Sequence, residues 1–237
     1  HIMLFDILVG ASLGYEHVLM EDLVNIQATV NVYYGIGYAQ VKHYDKAARA
    51  FEKILNNPDF KNEKLKEKAL LEVGNNSRKF FDFSKAIESF LGLYKRNPVN
   101  ESSPAALFEA AQLLENDGQY QNAARWFEEY ESAYSARDNA TTSLYKASSA
   151  WKKASNSAQT QSSQRSARKE EVRLLKRFID RARKQMNTKD GELVLKSMVR
   201  LGELALKNNR PAQARRYFQD VVSFFQQGGY SPDSPEA

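Results

Sequence analysis

The chain is 237 residues long, with 42% apolar and 27% charged side chains, the composition of one long or two short globular domains rather than of disordered sequence. It has no cysteine and only three histidines, His1, His17 and His43, which excludes disulfide staples, thiolate-held metals, thiol nucleophiles and the HExxH class of metal site. The net charge of +5 is uneven: residues 1–41 carry no Lys or Arg, whereas residues 151–189 carry twelve against Glu170, Glu171 and Asp180.

The N-terminal segment lacks the cationic region of a signal peptide, since the first basic residue is Lys42. His1-Ile2-Met3 reads as a cloning remnant, and the chain as an excised fragment or mature form. No run of 18 apolar residues predicts a membrane-spanning helix. Within Glu16–Asn25, Val18, Leu19, Leu23 and Val24 mark a helix, so residues 1–27 are expected to cap the first hairpin or to end a preceding one.

From residue 28 onward the chain repeats itself. Tyr44–Phe51 (YDKAARAF), Phe83–Phe90 (FSKAIESF), Tyr120–Phe127 (YQNAARWF) and Pro211–Phe218 (PAQARRYF) each place Ala three residues in and Phe four residues later. These steps put both on one helical face. Twelve residues before each Ala stands Gly35, Gly74, Ala111 or Gly202. A helical Gly costs about 1 kcal/mol against Ala. Its recurrence therefore predicts close approach between two antiparallel helices, with Gly35 opposite Ala47, Gly74 opposite Ala86, Ala111 opposite Ala123 and Gly202 opposite Ala214. The turns fall at Lys42-His43, Phe81-Asp82, Asp117-Gly118-Gln119 and Asn208-Asn209-Arg210.

This pattern resembles the tetratricopeptide repeat family. Tyr34-Gly35, Tyr38, Ala47, Phe51 and Ile54 carry the likeness in the first repeat; Val73-Gly74, Ala86, Phe90 and Pro98 carry it in the second. Ala110-Ala111, Tyr120, Ala123 and Phe127 follow in the third, and Leu201-Gly202, Ala214 and Phe218 in the last. The resemblance implies an all-α fold, a right-handed superhelical solenoid of antiparallel helix pairs with about five hairpins plus an N-terminal helix. Three repeats are assigned to residues 28–137 and a last one to 190–227, ahead of a tail at 228–237. Residues 138–189 form a degenerate hairpin: Leu144, Tyr145, Ala147, Ala150 and Trp151 mark one helix, and Val172, Leu175, Ile179, Ala182 and Met186 the stripe of the next. Between them Ser155–Gln164 (SNSAQTQSSQ) reads as a mobile polar loop. The junction Asn97-Pro98 followed by Ser102-Ser103-Pro104-Ala105-Ala106-Leu107 looks similar to periplasmic tetratricopeptide lipoproteins of outer-membrane assembly. That likeness implies a periplasmic or outer-membrane-associated bacterial protein, with the cytoplasm as alternative.

Enzymatic chemistry finds no support in the sequence. Gly35-Ile36-Gly37 lacks the third glycine and preceding strand of a dinucleotide site. Adjacent carboxylates such as Glu128-Glu129 point to different sides of a helix and cannot share a substrate. No cofactor, metal or small-molecule substrate is implied, and the chain is read as a non-enzymatic scaffold. In such solenoids the first helix of each hairpin lines a concave channel. The expected lining is Val32, Ile36 and Ala39, then Lys68, Leu71, Asn75 and Arg78, then Phe108, Gln112 and Glu115. The degenerate hairpin adds Tyr145 with Ser149 and Lys152, and the last repeat adds Lys196 with Val199 and Glu203. This mixture suits a peptide or helix segment of another protein, with any membrane association indirect or through an anchor. A second expectation is a basic face on residues 165–189, built from Arg173, Lys176, Arg177, Arg181, Arg183 and Lys184. It would stand exposed to an acidic partner, or alternatively bind nucleic acid or an anionic surface with steep salt dependence.

Overall fold

Four turns of identical construction organise the chain. Lys42, Phe81, Gly118 and Asn209 each lie seven residues after Gly35, Gly74, Ala111 and Gly202, and each adopts a left-handed backbone with φ between 55° and 80°. At each turn the following amide reaches back five residues: His43 to the Tyr38 carbonyl, Asp82 to Ser77, Gln119 to Leu114 and Arg210 to Ala205, all at 2.9 Å. The left-handed residue's own amide bonds three residues back. This is the Schellman ending of a helix, which satisfies carbonyls that the last turn leaves unpaired. The next helix then begins at once and runs back along the first.

The protein is described by a computed structural model over residues 2–185 and 191–226, with side-chain surroundings over 18–183 and 191–226. Ten helices and no strand occur among the described residues. They are α1 (Ile2–Gln40), α2 (Tyr44–Leu55), α3 (Glu63–Lys79), α4 (Phe83–Arg96), α5 (Ser103–Asn116), α6 (Tyr120–Ala133), α7 (Asn139–Asn156), α8 (Gln161–Gln185), α9 (Gly191–Lys207) and α10 (Pro211–Gln226). The all-α class and the antiparallel pairing are as the repeats predict. By packing, the chain divides into His1–Ala110 and Ala111–Ala237, a division that falls inside α5. The expected tail at 228–237 and Met186 lie outside the described residues.

Within the first unit α1 packs on α2, α2 on α3 and α3 on α4. Phe51, Ile54, Ala69 and Val73 form its core with Ala28 and Phe60. Phe60 belongs to the extra residues between the first two repeats, so this added length supplies a core side chain. The other inserted junction is pinned as well. Asn97 and Asn100 donate to the two Glu67 carboxylate oxygens at 2.9 and 2.6 Å, and the Ser103 hydroxyl donates to the Asn97 carbonyl at 2.6 Å. In the second unit α6, α7, α8, α9 and α10 pack in sequence, around Phe127, Leu144, Leu174 and Phe178.

Two expectations are corrected, and the glycine register is refined. Residues 1–27 are not a separate helix: α1 runs unbroken from Ile2 to Gln40, because no Pro or left-handed cap interrupts it. The polar loop over 155–164 shrinks to residues 157–160. The Thr160 hydroxyl accepts the Ser163 amide and starts α8 directly. At Gly35, Gly74 and Gly202 what lies nearest is the phenylalanine ring four residues beyond the register alanine. A Cβ built on Gly35 would lie 2.4 Å from the Phe51 ring, one on Gly74 2.5 Å from Phe90, and one on Gly202 2.5 Å from Phe218.

Candidate functional site

In the second unit α7, α8 and α9 enclose a cavity of about 440 Å³. Tyr145, Ser149 and Lys152 face it from α7, and Lys196, Val199 and Glu203 from α9. These are the six residues that the repeat register assigned to the channel from those two helices. Sequence reasoning missed Ser148, Glu171, Leu175, Leu195, Ser197 and Arg200, which also line it.

The cavity's wall holds an ion pair between helices. Arg200 Nε donates to Glu171 Oε1 at 2.6 Å, and a second nitrogen reaches the other oxygen at 3.3 Å. Glu171 is fully buried. Burial alone would depress the Arg200 pKa, but the hydrogen bonds and charge of Glu171, helped by Glu203, outweigh it and hold the guanidinium above its ordinary value. Arg200 therefore stays charged and fixed, tying α9 to α8. The Ser197 hydroxyl is buried in the same wall and has no hydrogen-bond partner within the protein. Lys196 pairs with Glu192 one turn away, and Lys152 is exposed at the rim. The lining thus combines the Tyr145 ring, the buried Leu175 and the exposed Val199, the lysines Lys152 and Lys196, and the unpartnered Ser197 hydroxyl.

The remaining channel residues fall in smaller groups. Lys68, Leu71, Asn75 and Arg78 are spaced three and four apart along α3, and Arg78 is held by Glu109 of α5 at 3.0 Å. Val32 is half-buried and Ile36 exposed on α1. Phe108 and Gln112, both half-buried on α5, lie on either side of the division between the units.

Three of the six residues expected on the basic face, Arg173, Arg177 and Arg181, are engaged by groups of α6 and α7, although Arg173 stays exposed. Arg173 donates two hydrogen bonds to the Glu128 carboxylate at 2.7 Å, Arg177 bridges Glu128 and Glu131 at 2.6 Å each, and Arg181 reaches Glu131 at 2.7 Å. Arg181 also bonds the Thr141 hydroxyl and the Ser135 carbonyl. The row 173, 177, 181, one side chain per turn of α8, faces α6, where Glu128 and Glu131, three residues apart, share one helix face. Hydrogen bonding from Arg173 holds the Glu128 carboxyl below its ordinary pKa, against the opposing effect of burial. Lys176 and Arg183 are exposed, with Arg183 over the Phe224 ring at 5.8 Å; Lys184 lies outside the described side chains.

Among the described residues no three His, Asp or Glu side chains converge on a point that would hold a metal ion, and no helix is long and apolar enough to cross a membrane.

Residues 81–138 match the tetratricopeptide repeat family. That span contains the second helix of one hairpin and the whole of the next, with Phe90, Ala111, Ala123 and Phe127. A crystal structure of MamA protein has a TM-score of 0.50 at 14% identity, over 85% of this chain and 93% of that one. MamA from Desulfovibrio magneticus RS-1, residues 41 to the end, gives 0.46 at 15% identity over 88% and 98%. A putative kinesin light chain of Podosopora anserina with nearly identical TPR-like repeats gives 0.47 at 14% over 90% and 99%. The likeness to MamA establishes a tetratricopeptide-like fold. No curated protein sequence matches the chain significantly.

Proposed function

We propose that the protein is a non-enzymatic interaction scaffold that grips a peptide or helix of another protein along the exposed faces of its first helices. The observation that carries this reading is the cavity between α7, α8 and α9, into which the register-predicted residues of two hairpins converge. Its volume of about 440 Å³ has room for two or three side chains of a bound segment, and the repeat register that supplies its lining, rather than its size, favours a protein ligand. The bound segment would place an apolar side chain against Tyr145, Leu175 and Val199, with a hydroxyl or carbonyl group toward Ser197. The exposed Lys152 favours an acidic flank.

Panning the protein against a library of random peptides tests this. Peptides enriched on the wild type should bind the Val199→Glu variant at least tenfold more weakly, because the new carboxylate intrudes on the apolar part of the lining. Equal binding to both proteins would remove the cavity from the function.

We further place the scaffold in a bacterial cell-envelope assembly, on the strength of the Asn97–Leu107 junction and its likeness to periplasmic repeat lipoproteins. Fractionating cells that express the complete gene product should find it in the periplasm or with the outer membrane. Recovery in the cytoplasm alone would overturn this placement.

A further inference from the structure

Equivalent positions of the repeat have very different surroundings at the two ends of the array. Sixteen residues after each Gly or Ala landmark stands a phenylalanine on the second helix of the hairpin. Phe51, Phe90 and Phe127 are at most 1% exposed, whereas Phe218 on α10 is 37% exposed. Four residues further, Tyr94 and Glu131 are buried and Leu55 is half-buried, but Val222 is 54% exposed. Phe225 completes an uncovered stripe at 218, 222 and 225. Leu206, Phe218 and Val222 line an open groove along α10.

The first helices show the converse. Nine, five and one residues before the landmark, α3 carries Leu65, Ala69 and Val73, which pack into the core with Phe51 and Ile54 of the preceding α2. On α9 the same positions are Leu193, Ser197 and Leu201, half-buried, buried and buried. On α1 they are Ile26, Val30 and Tyr34, exposed at 59%, 43% and 58%. α1 thus exposes the positions by which a first helix packs on a preceding second helix, and α10 exposes those by which a second helix packs under a following first helix. The two faces are complementary in kind.

Charge selects the pairing. The segment containing α1 has no Lys or Arg through residue 41, and Glu21 and Asp22 are exposed beside its apolar stripe. Residues 206–226 carry Lys207, Arg210, Arg215 and Arg216 against Asp220 alone. Two α1 faces would bring like charges together, as would two α10 faces, whereas α1 on α10 brings opposite ones together.

We propose that a second copy of this chain covers α10, with the Ile26, Val30, Tyr34 face of its α1 seated on Phe218, Val222 and Phe225. Copies thereby continue the stacking of first helix on second helix from one molecule to the next. The contact is heterologous, since two different surfaces meet, and each added copy presents a fresh surface for another.

Two blocked proteins and their mixture test it. Ile26→Lys with Val30→Lys blocks only the α1 face, and Val222→Lys with Phe225→Lys blocks only the α10 face. All four positions are exposed, so circular dichroism should show unchanged helicity. By sedimentation velocity the wild type should grow in mean mass as its concentration rises from about 1 to about 300 μM. Each blocked protein alone should remain monomeric, and their equimolar mixture should form a one-to-one dimer and nothing larger. A wild type that stays monomeric across this range overturns the proposal. So does self-association of either blocked protein, because that would mean like faces pair.

Discussion

Phe81 occupies a backbone position that the repeat fills elsewhere with Gly118 and Asn209. An L-residue with a bulky side chain in the left-handed region carries a penalty of about 1–2 kcal/mol. The Phe81 ring is largely exposed and recovers little of this through its edge contact with Phe83. Phe81→Asn should therefore stabilise the first unit by about 0.5–1 kcal/mol, seen as a rise in the urea midpoint without a change in slope. The landmark glycines give a paired prediction. Gly74→Ala drives a methyl into the Phe90 ring, which is fully buried and has nowhere to go, and should destabilise by about 1–3 kcal/mol. Gly202→Ala meets Phe218 at the same distance, but that ring stands at the surface and can swing outward. The alanine then gains about 1 kcal/mol of helix propensity, so this variant should be neutral or stabilised. Equal losses at the two sites, measured by denaturant melts, would mean that ring burial is not what sets the cost. The sequence displayed the glycine register together with its Ala and Phe positions on the facing helix, but only the packed rings show that Phe51, Phe90 and Phe218 come nearest the glycines.

At the scale of the helix, α8 shows why a run of basic residues is a poor guide to a binding surface. Its charges were legible, but not that Glu128 and Glu131, some fifty residues away, would rise to meet them. The stripe was partly legible: Leu175, Ile179 and Ala182 are buried as expected, and Leu174 and Phe178 widen it. That width lets α8 sit deep enough on α7 for its arginines to reach α6. Reversing Arg173, Arg177 and Arg181 to Glu should consequently destabilise the second unit, by about 3–5 kcal/mol, since it leaves the buried Glu131 facing new carboxylates. Adding Glu128→Arg and Glu131→Arg should recover part of the loss; no recovery would remove the ion pairs as its cause. The same staple sets a response to acid. The folded pKa of Glu128 is lowered, so its contribution is complete above the ordinary carboxylate pKa of about 4.3 and disappears as pH falls from there through the lower folded value. Glu128→Gln should flatten the fall in thermal midpoint below about pH 4.5, and leave the midpoint's trend between pH 5 and 7 unchanged.

Among the described residues, the extensive helix contacts within each unit are between consecutive helices, and the α6–α8 arginine staple reaches one helix further through side chains. An array of this kind divides its stability among neighbours instead of sharing one core. The same locality explains which parts of the candidate site could be read in advance. Tyr145, Ser149, Lys152, Lys196, Val199 and Glu203 follow from a register carried by each hairpin alone. Arg200, Glu171 and Ser197 acquire their roles only when α8 and α9 are set side by side. Locality also makes a measurable prediction about how damage spreads. Gly74→Leu should open the α3–α4 hairpin by overpacking against Phe90, at a cost of about 1–3 kcal/mol. Native-state hydrogen exchange on this variant should show faster amide exchange throughout α3 and α4, a smaller change in α2, and α7 and α8 close to their wild-type rates. The urea transition, followed by residue-specific probes, should split, with probes in the first unit reporting unfolding ahead of those in the second. Uniform acceleration of exchange across all ten helices would instead mean that the chain unfolds as one cooperative body, and the nearest-neighbour account of its stability would have to be abandoned.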